Sequence, residues 1–461
     1  MNPIVSLLLF VVPAWLALKR DYQRGLCVAL AMFALMSNRI SIETGAFEFT
    51  FQRILLLVVV LYWAGWRASQ GGAPLRIPFV RLILVWWVAN VLSLIFTIDT
   101  ERALKWFLSF STEFVLFYII VSTSLTNTES VLGAYRALCV SAGIIAVLGT
   151  IEYYYGFNPN AQWLGIIEPA KMDGDVVVTF QHRILFGYSM AMGFPLLLAL
   201  AHSVKGRVKS VAMTIVVMLS IAACYYSGSR GPWFGAAIAG VVMYLLASAR
   251  VRKSMRIFGY LTIFMIIARP GVRDTLVDLT MSTFDEDSYR GASYSYRKEL
   301  WPVAINLAKT SPVRALFGHG GMSTEGMDLS DRFQFGGSTF LIGYSSWDNN
   351  YACDLVEFGY VGLGIEIIFY ACILASLYRS LSRCPAAYRD MMAAVIAALV
   401  VYVFALTNVY MFSPQLKCMF LTLVTIGVRL PLLAGQSEPS RVAVATEEMV
   451  DHEQFVVAKP A

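Results

Sequence analysis

Apolar runs of about 17–25 residues, the length needed to cross the hydrocarbon core of a bilayer, recur along the whole of this chain. Of its 461 residues 58% are hydrophobic and 14% charged, and the mean hydropathy is +0.64, so the sequence reads as a polytopic membrane protein. Hydropathy marks about 13 candidate spans, roughly 4–18, 25–37, 51–66, 78–98, 104–124, 131–151, 184–202, 210–226, 232–249, 257–268, 351–378, 391–410 and 416–434. The first two are short and suit either one re-entrant pair or two tilted helices. A helix satisfies its own backbone groups in lipid, so the expected fold is all-α, with about 12–13 transmembrane helices. Met1-Asn2-Pro3 lacks a basic leader, and no cleavable signal peptide is expected.

Lysine and arginine set the orientation. Basic clusters fall at Lys19-Arg20 with Arg24, at Arg67 with Arg76, at Lys205/Arg207/Lys209, at Arg250/Arg252/Lys253/Arg256 and at Arg379/Arg383/Arg389. Alternate connections are acidic or mixed: Glu43/Glu48, Asp99/Glu101, Glu168 to Asp175, and a long polar interval from Arg269 to Asn350. With the basic loops in the cytoplasm, the long interval lies outside together with a second loop, 152–181. The expected organisation is a first transmembrane part (1–268), a large outer cap (269–350), a last transmembrane part (351–434) and a disordered cytoplasmic tail (435–461). A bacterial inner membrane, with a periplasmic cap, fits this pattern. The net charge of +6 is spread out, and nucleic-acid binding needs a concentrated basic face, so no nucleic acid is expected. The seven cysteines lie in or beside apolar runs without CxxC spacing and read as small buried hydrophobes. The four histidines, at 182, 202, 319 and 452, lack metal-site spacing, so neither a protein-held metal nor any other cofactor is expected.

The sharpest local signal is Tyr226-Ser227-Gly228-Ser229-Arg230-Gly231-Pro232-Trp233, where one span emerges on the outer face and the next begins. Pro232 suits a first helical position, and the Gly-Ser-Arg-Gly turn can offer backbone N–H groups beside a positive helix end. Arg230 there is either a phosphate ligand, with Ser229 and Gly231, or an anchor at the lipid headgroups. His182-Arg183, at the outer mouth of another span, allows the same two readings. Within the polar interval, Arg297 and Trp301 are four apart and share a helix face. The Asp285–Asp287 run suits a solvated loop, and the tyrosines at 289, 294 and 296 suit stacking on sugar rings and packing within a folded cap equally well. Asp348 is a candidate N-cap for a helix starting near Tyr351 or a group that orients or deprotonates a hydroxyl. Asn350, Asp354 and Glu357 follow i, i+4, i+7 spacing on the next span. Acidic groups in a span usually face a cavity or a partner. Pairing with an arginine such as Arg230 and lining a channel are both open.

Ser227-Gly228-Ser229-Arg230-Gly231 between two spans resembles the signature of the O-antigen ligase/polymerase superfamily, membrane proteins that transfer glycans from undecaprenyl diphosphate outside the inner membrane. Thr179-Phe180-Gln181-His182-Arg183 running on to Gly187 and Pro195 is similar to that family's entrance to a mid-chain span. Arg297-Lys298-Glu299-Leu300-Trp301, then Pro312 and Phe317-Gly318-His319-Gly320, resembles the pattern of its long loop. Asp348-Asn349-Asn350-Tyr351 followed by Glu357-Phe358-Gly359-Tyr360-Val361-Gly362-Leu363 resembles the loop's ending. These stretches come in the family's order over roughly residues 140–375. There is one departure. Family ligases carry His-Asn, with a histidine held to help activate the acceptor, where this chain has Asp348-Asn349. The Asp-Asn form is more like the exopolysaccharide and O-antigen polymerases.

The resemblance implies a metal-independent, GT-C-like membrane glycosyltransferase that acts as a polysaccharide polymerase. Undecaprenyl-diphosphate-linked glycan would be both donor and acceptor, within the lipid bilayer, with a chain-length regulator and a flippase as candidate partners. Arg230 and Arg297 would stabilise the departing diphosphate. Asp348 would align the acceptor hydroxyl, with His319 a candidate to replace the missing histidine in space. Ser229, Gly231, His182, Arg183, Trp301, Asn349, Tyr351 and Glu357 would line the substrate site. The alternatives are a ligase delivering glycan to lipid A-core and a flippase or transporter of the lipid-linked oligosaccharide.

Overall fold

The computed structural model describes residues 7–37, 41–43, 48–71, 76–162, 176–285, 289–327, 347–411 and 413–456. Glu286, Asp287, Ser345, Ser346 and the acidic stretch Glu168 to Asp175 lie outside these residues. The described chain is helical except for one antiparallel hairpin, Ser41–Glu43 with Glu48–Thr50. That hairpin delivers Thr50 as the N-cap of the next helix, its side chain accepting from Arg53 N at 3.3 Å.

In chain order the helices are α1 (Val12–Arg20), α2 (Tyr22–Leu35), α3 (Phe51–Ser69), α4 (Val80–Ile95), α5 (Thr100–Ser124), α6 (Thr128–Tyr155), α7 (Arg183–Ser203), α8 (Arg207–Tyr226) and α9 (Arg230–Leu246). They continue with α10 (Ala249–Ala268), α11 (Pro270–Phe284), α12 (Tyr289–Ala308), α13 (Pro312–Phe317), α14 (Asn350–Leu381), α15 (Arg389–Ala405) and α16 (Pro414–Val456). Among the described residues eight helices are long and apolar enough to cross a membrane, and α2, α4 and α9 are shorter apolar ones. The chain is a multi-pass membrane protein. α10 carries Arg250, Arg252, Lys253 and Arg256 in its first two turns, which leaves Ile257–Ala268 as its apolar part. α16 continues as helix past its apolar part to Val456.

α7 is the centre of the bundle. It is apolar around its whole circumference, as a core helix must be, and 89% of its apolar window is buried, against 22% for α8. It packs on α6, α8, α9 and α15. Apolar side chains left exposed on the outer helices, such as Leu61, Leu84, Ile95, Phe234, Leu245 and Ile368, face the lipid. Cys372 is exposed too, contrary to the expectation that every cysteine is buried. In lipid a small apolar group gains nothing by turning inward.

The cap has a core of its own. Tyr296, Leu300, Ala304, Leu307 and Ala308 make one stripe on α12, at helical spacing, and pack on Trp347 and the first turns of α14 (Ala352, Cys353, Leu355, Val356). The cap is thus seated on the start of a spanning helix, and that helix is broken to receive it. Gly359 adopts φ 66°, ψ −171° inside α14, a conformation open to glycine and costly for other residues. The break frees carbonyls that a helix would use. Val356 O takes His319 N (2.9 Å), and Glu357 O takes Gly320 N (3.0 Å) and Ser93 Oγ (3.1 Å). Gly318 approaches Glu357 so closely that any Cβ would strike its carbonyl, and a Cβ on Gly359 would strike that of Leu316. The Gly-His-Gly of the cap and the glycine of the span form one joint.

Candidate functional site

The site is built at the cap end of the bundle from the starts of α7, α9 and α14 and the middle of α12. α9 begins at Arg230, two residues earlier than Pro232 suggested, with Ser229 as its N-cap residue (φ −118°, ψ 127°). Pro232 still falls in the first turn, where a missing N–H leaves no bond unmade. The turn leading in is closed by local bonds. Ser227 Oγ donates to Cys224 O (2.7 Å), Ser229 N to Ser227 Oγ (3.4 Å), and Trp233 Nε1 to Cys224 O (2.8 Å). Gly228 supplies the left-handed residue (φ 59°). Ser229 makes no side-chain cap, the condition under which a helix N-terminus can take an external anion.

α7 starts beside it. His182 is the N-cap of α7, its Nδ1 accepting from Ile184 N at 3.3 Å, and Arg183 is its first residue. The two helices touch where Gly187 meets Pro232 and Ser227, and a Cβ at Gly187 would lie 2.6 Å from the proline ring. Two positive helix ends, each headed by an arginine, therefore lie side by side.

Arg297 comes from the cap. It is half-buried beside the apolar stripe of α12, and its Nη2 donates to Asp348 Oδ2 at 2.6 Å. Trp301, expected to share its face, is exposed (37%) on the cap surface. Asp348 is buried but does not cap α14. Asn349 holds that position, its side chain accepting from Ala352 N at 3.0 Å. The expectation that Asp348 caps the helix was off by one residue, and the cap duty of Asn349 releases Asp348 to meet the arginine.

Asn350 pins this corner to the turn between α15 and α16. Its N–H donates to Leu406 O (2.8 Å), its Oδ1 accepts from Met411 N (3.1 Å), and its Nδ2 reaches Asp354 Oδ2 and Glu366 Oε1 (3.5 Å). Tyr351 ties α14 to α15 through Val403 O (3.2 Å). Glu357, fully buried, takes the Thr324 hydroxyl, so the anticipated acidic face of α14 divides between two environments. Glu366, across the break, is an acid that the sequence reading did not connect with Asp354.

His319 is buried, and its Nδ1 lies 3.1 Å from Val356 O. Since a carbonyl only accepts, Nδ1 carries the proton. Burial pulls the ring's pKa below its ordinary value. The Val356 carbonyl opposes this, and Arg314 adds to the lowering. Val356 is eight residues beyond Asp348, ~12 Å along a helix, so His319 is seated in the joint and the structure does not bring it to Asp348.

One residue that the sequence reading passed over lies against the first turn of α9 and within the field of Arg297. Tyr188 of α7 is fully buried. Its ring lies over Gly231 and Gly235 of α9, where added Cβ atoms would come to 2.6 Å from Oη and 3.2 Å from Cε1. It is within electrostatic reach of Arg297. The signal was present as two glycines four apart, which makes a trough along one helix face.

Residues 215–367 match a family described as O-antigen ligase. The matched stretch runs from within α8 through the cap to α14. It contains Arg230, Arg297, His319 and Asp348. No curated protein matches the chain.

Proposed function

We propose that the chain is a polysaccharide polymerase of the periplasmic face of a bacterial inner membrane, and that it moves an undecaprenyl-diphosphate-linked glycan onto an acceptor repeat unit. The observation that carries this reading is the Arg297–Asp348 pair beside the arginine-headed ends of α7 and α9. An acceptor hydroxyl attacks the anomeric carbon of the donor, and the carbon–oxygen bond to diphosphate breaks. Asp348 accepts the hydroxyl proton, and the charge gathering on the diphosphate meets Arg230, Arg297 and the two helix N-termini. Arg297 also holds the Asp348 carboxylate in place. Ser229, Gly231, His182 and Arg183 line the anion end in this reading. Trp301 and Asn349 frame the glycan side, and Tyr351 and Glu357 support the frame.

An Asp-Asn pair at 348–349, where ligases carry His-Asn, favours polymerase over ligase. A polymerase joins lipid-linked units, so its loss leaves the single unit on its polyprenyl carrier. The test is the glycan length of lipid extracts from a deletion strain. Accumulated single units are the expected result. Long chains still on the carrier would overturn this reading in favour of the ligase, and single units confined to the cytoplasmic leaflet would overturn it in favour of a flippase.

A further inference from the structure

A buried hydroxyl without a partner is costly, because it has given up water and gained nothing in return. Tyr188 carries one. Its Oη is buried and has no hydrogen-bond partner among the described residues. Asn408 is the side chain within reach of it, but the two make no hydrogen bond of normal geometry, and Asn408 Nδ2 donates instead to Thr407 Oγ1 (2.7 Å) and Phe404 O (3.3 Å). The packing forces the hydroxyl into this position. The ring fills the trough of Gly231 and Gly235 and is backed by Phe404, 6.4 Å away between ring centroids. A methyl group at Gly231 would displace the oxygen.

What surrounds that oxygen is specific. It lies against the first turn of α9, one residue from Arg230, and within the field of Arg297. A second donor of the candidate site is in the same condition: Trp347 Nε1, next to Asp348 in sequence, is buried without a partner among the described residues. Donors left open between cations call for a ligand rich in acceptor oxygens and negative charge.

We propose that the Tyr188 hydroxyl is a ligand of the substrate diphosphate, donating a hydrogen bond to one of its oxygens between Arg230 and Arg297. This rests on the diphosphate reading of the site given above and adds a residue from α7, outside the matched family stretch. It also explains why α9 carries glycine at 231 and 235: they bring a phenol to the arginines with no side chain between.

The test uses the full-length protein in detergent, with geranylgeranyl diphosphate as probe and geranylgeraniol as its uncharged counterpart. Tyr188→Phe keeps the ring and removes only the oxygen. The unliganded variant is expected to melt no lower than the parent, since no described residue is hydrogen-bonded to that oxygen. Its affinity for the diphosphate is expected to fall about ten- to a hundredfold, the size of one hydrogen bond to a charged group. Affinity for the alcohol should not change. Arg230→Lys is measured in parallel. If Arg230→Lys weakens the diphosphate and Tyr188→Phe does not, the tyrosine is no ligand and this proposal falls alone. If neither variant weakens it, the diphosphate site itself is misplaced. A clear drop in the melting temperature of unliganded Tyr188→Phe would mean that the hydroxyl is bonded within the fold, and would overturn the proposal as well.

Discussion

In the proposed site Arg230 and Arg297 supply the same charge by different routes. Arg230 stands at the head of α9 behind a turn whose bonds span nine residues at most. Arg297 is tied to Asp348, 51 residues away, and its position depends on α12 being seated on α14. That seat in turn depends on the break at Gly359 and the loop Gly318–Gly320. One half of the site is therefore fixed by local chain geometry. The other half exists only when the cap is docked.

The largest expected effects separate these halves. Arg230→Lys and Arg297→Lys should each slow glycan transfer about 10²–10³-fold, since a point charge does not reproduce a planar fork aimed at developing charge. Stability should then divide them. Arg297→Ala strips a mostly buried Asp348 of its cation and should cost about 1–3 kcal/mol, less than the 3–5 of a fully buried pair. Arg230→Ala should cost less, because the turn before α9 is closed by Ser227, Ser229 and Trp233. Equal destabilisation by both alanine variants would show that Arg230 is also a structural anchor, and the comparison would collapse.

The same division governs what could be read from the sequence. Tyr226 to Trp233 announced a helix start and an anion-friendly turn because glycine, proline and serine act on their own neighbourhood. The start of α9 shifted by two residues, and no consequence for the site followed. Most apolar runs became helices for an equally local reason, their composition. The Arg297–Asp348 bond was out of reach, because nothing in either residue's neighbourhood specifies a partner across the cap. The seat of His319 was out of reach in the same way. As a lone histidine it read as a loop residue or a stand-in for the ligase histidine, and the flanking glycines were the informative residues, since only they can pass so close to the backbone of α14. Tyr188 disappeared into the most uniformly apolar helix of the chain, and its meaning depends on a trough in another helix.

A smaller effect sharpens the contrast at the start of α14, where two neighbouring residues divide chemistry from architecture. Asn349→Ala removes the cap bond to Ala352 N and should cost ~1 kcal/mol of stability, with transfer reduced only as far as Asp348 is loosened. Asp348→Asn keeps the cap and can still accept from Arg297, but it has no carboxylate to take a proton. It should fold normally and lose transfer. Melting temperature and transfer rate, measured on both variants, decide the matter. Transfer at the parent rate by Asp348→Asn would reduce Asp348 to a positioning partner of Arg297.

The smallest effect tests the joint that carries the non-local half. Burial in that joint lowers the pKa of His319 below the ordinary 6.5, so the folded protein resists protonating it while the unfolded chain does not. Between the lowered value and 6.5 the unfolded state binds more protons, and stability rises with pH across that window. The contribution is complete above about pH 6.5 and is lost as pH falls toward the folded value. A protonated ring must also sit near Arg314, which shares the joint through its bonds to Phe96 O and Gly318 O. The melting temperature should therefore fall by about 1–3 °C more in the parent than in His319→Gln between about pH 7 and pH 5. Transfer by His319→Gln at pH 7 should stay near the parent rate, because the ring serves the joint and does not reach Asp348. A parent and variant that melt in parallel across this range would show that the ring titrates freely and that the backbone bonds alone seat the cap. A large loss of transfer with an unchanged melting temperature would move His319 from the joint into the chemistry.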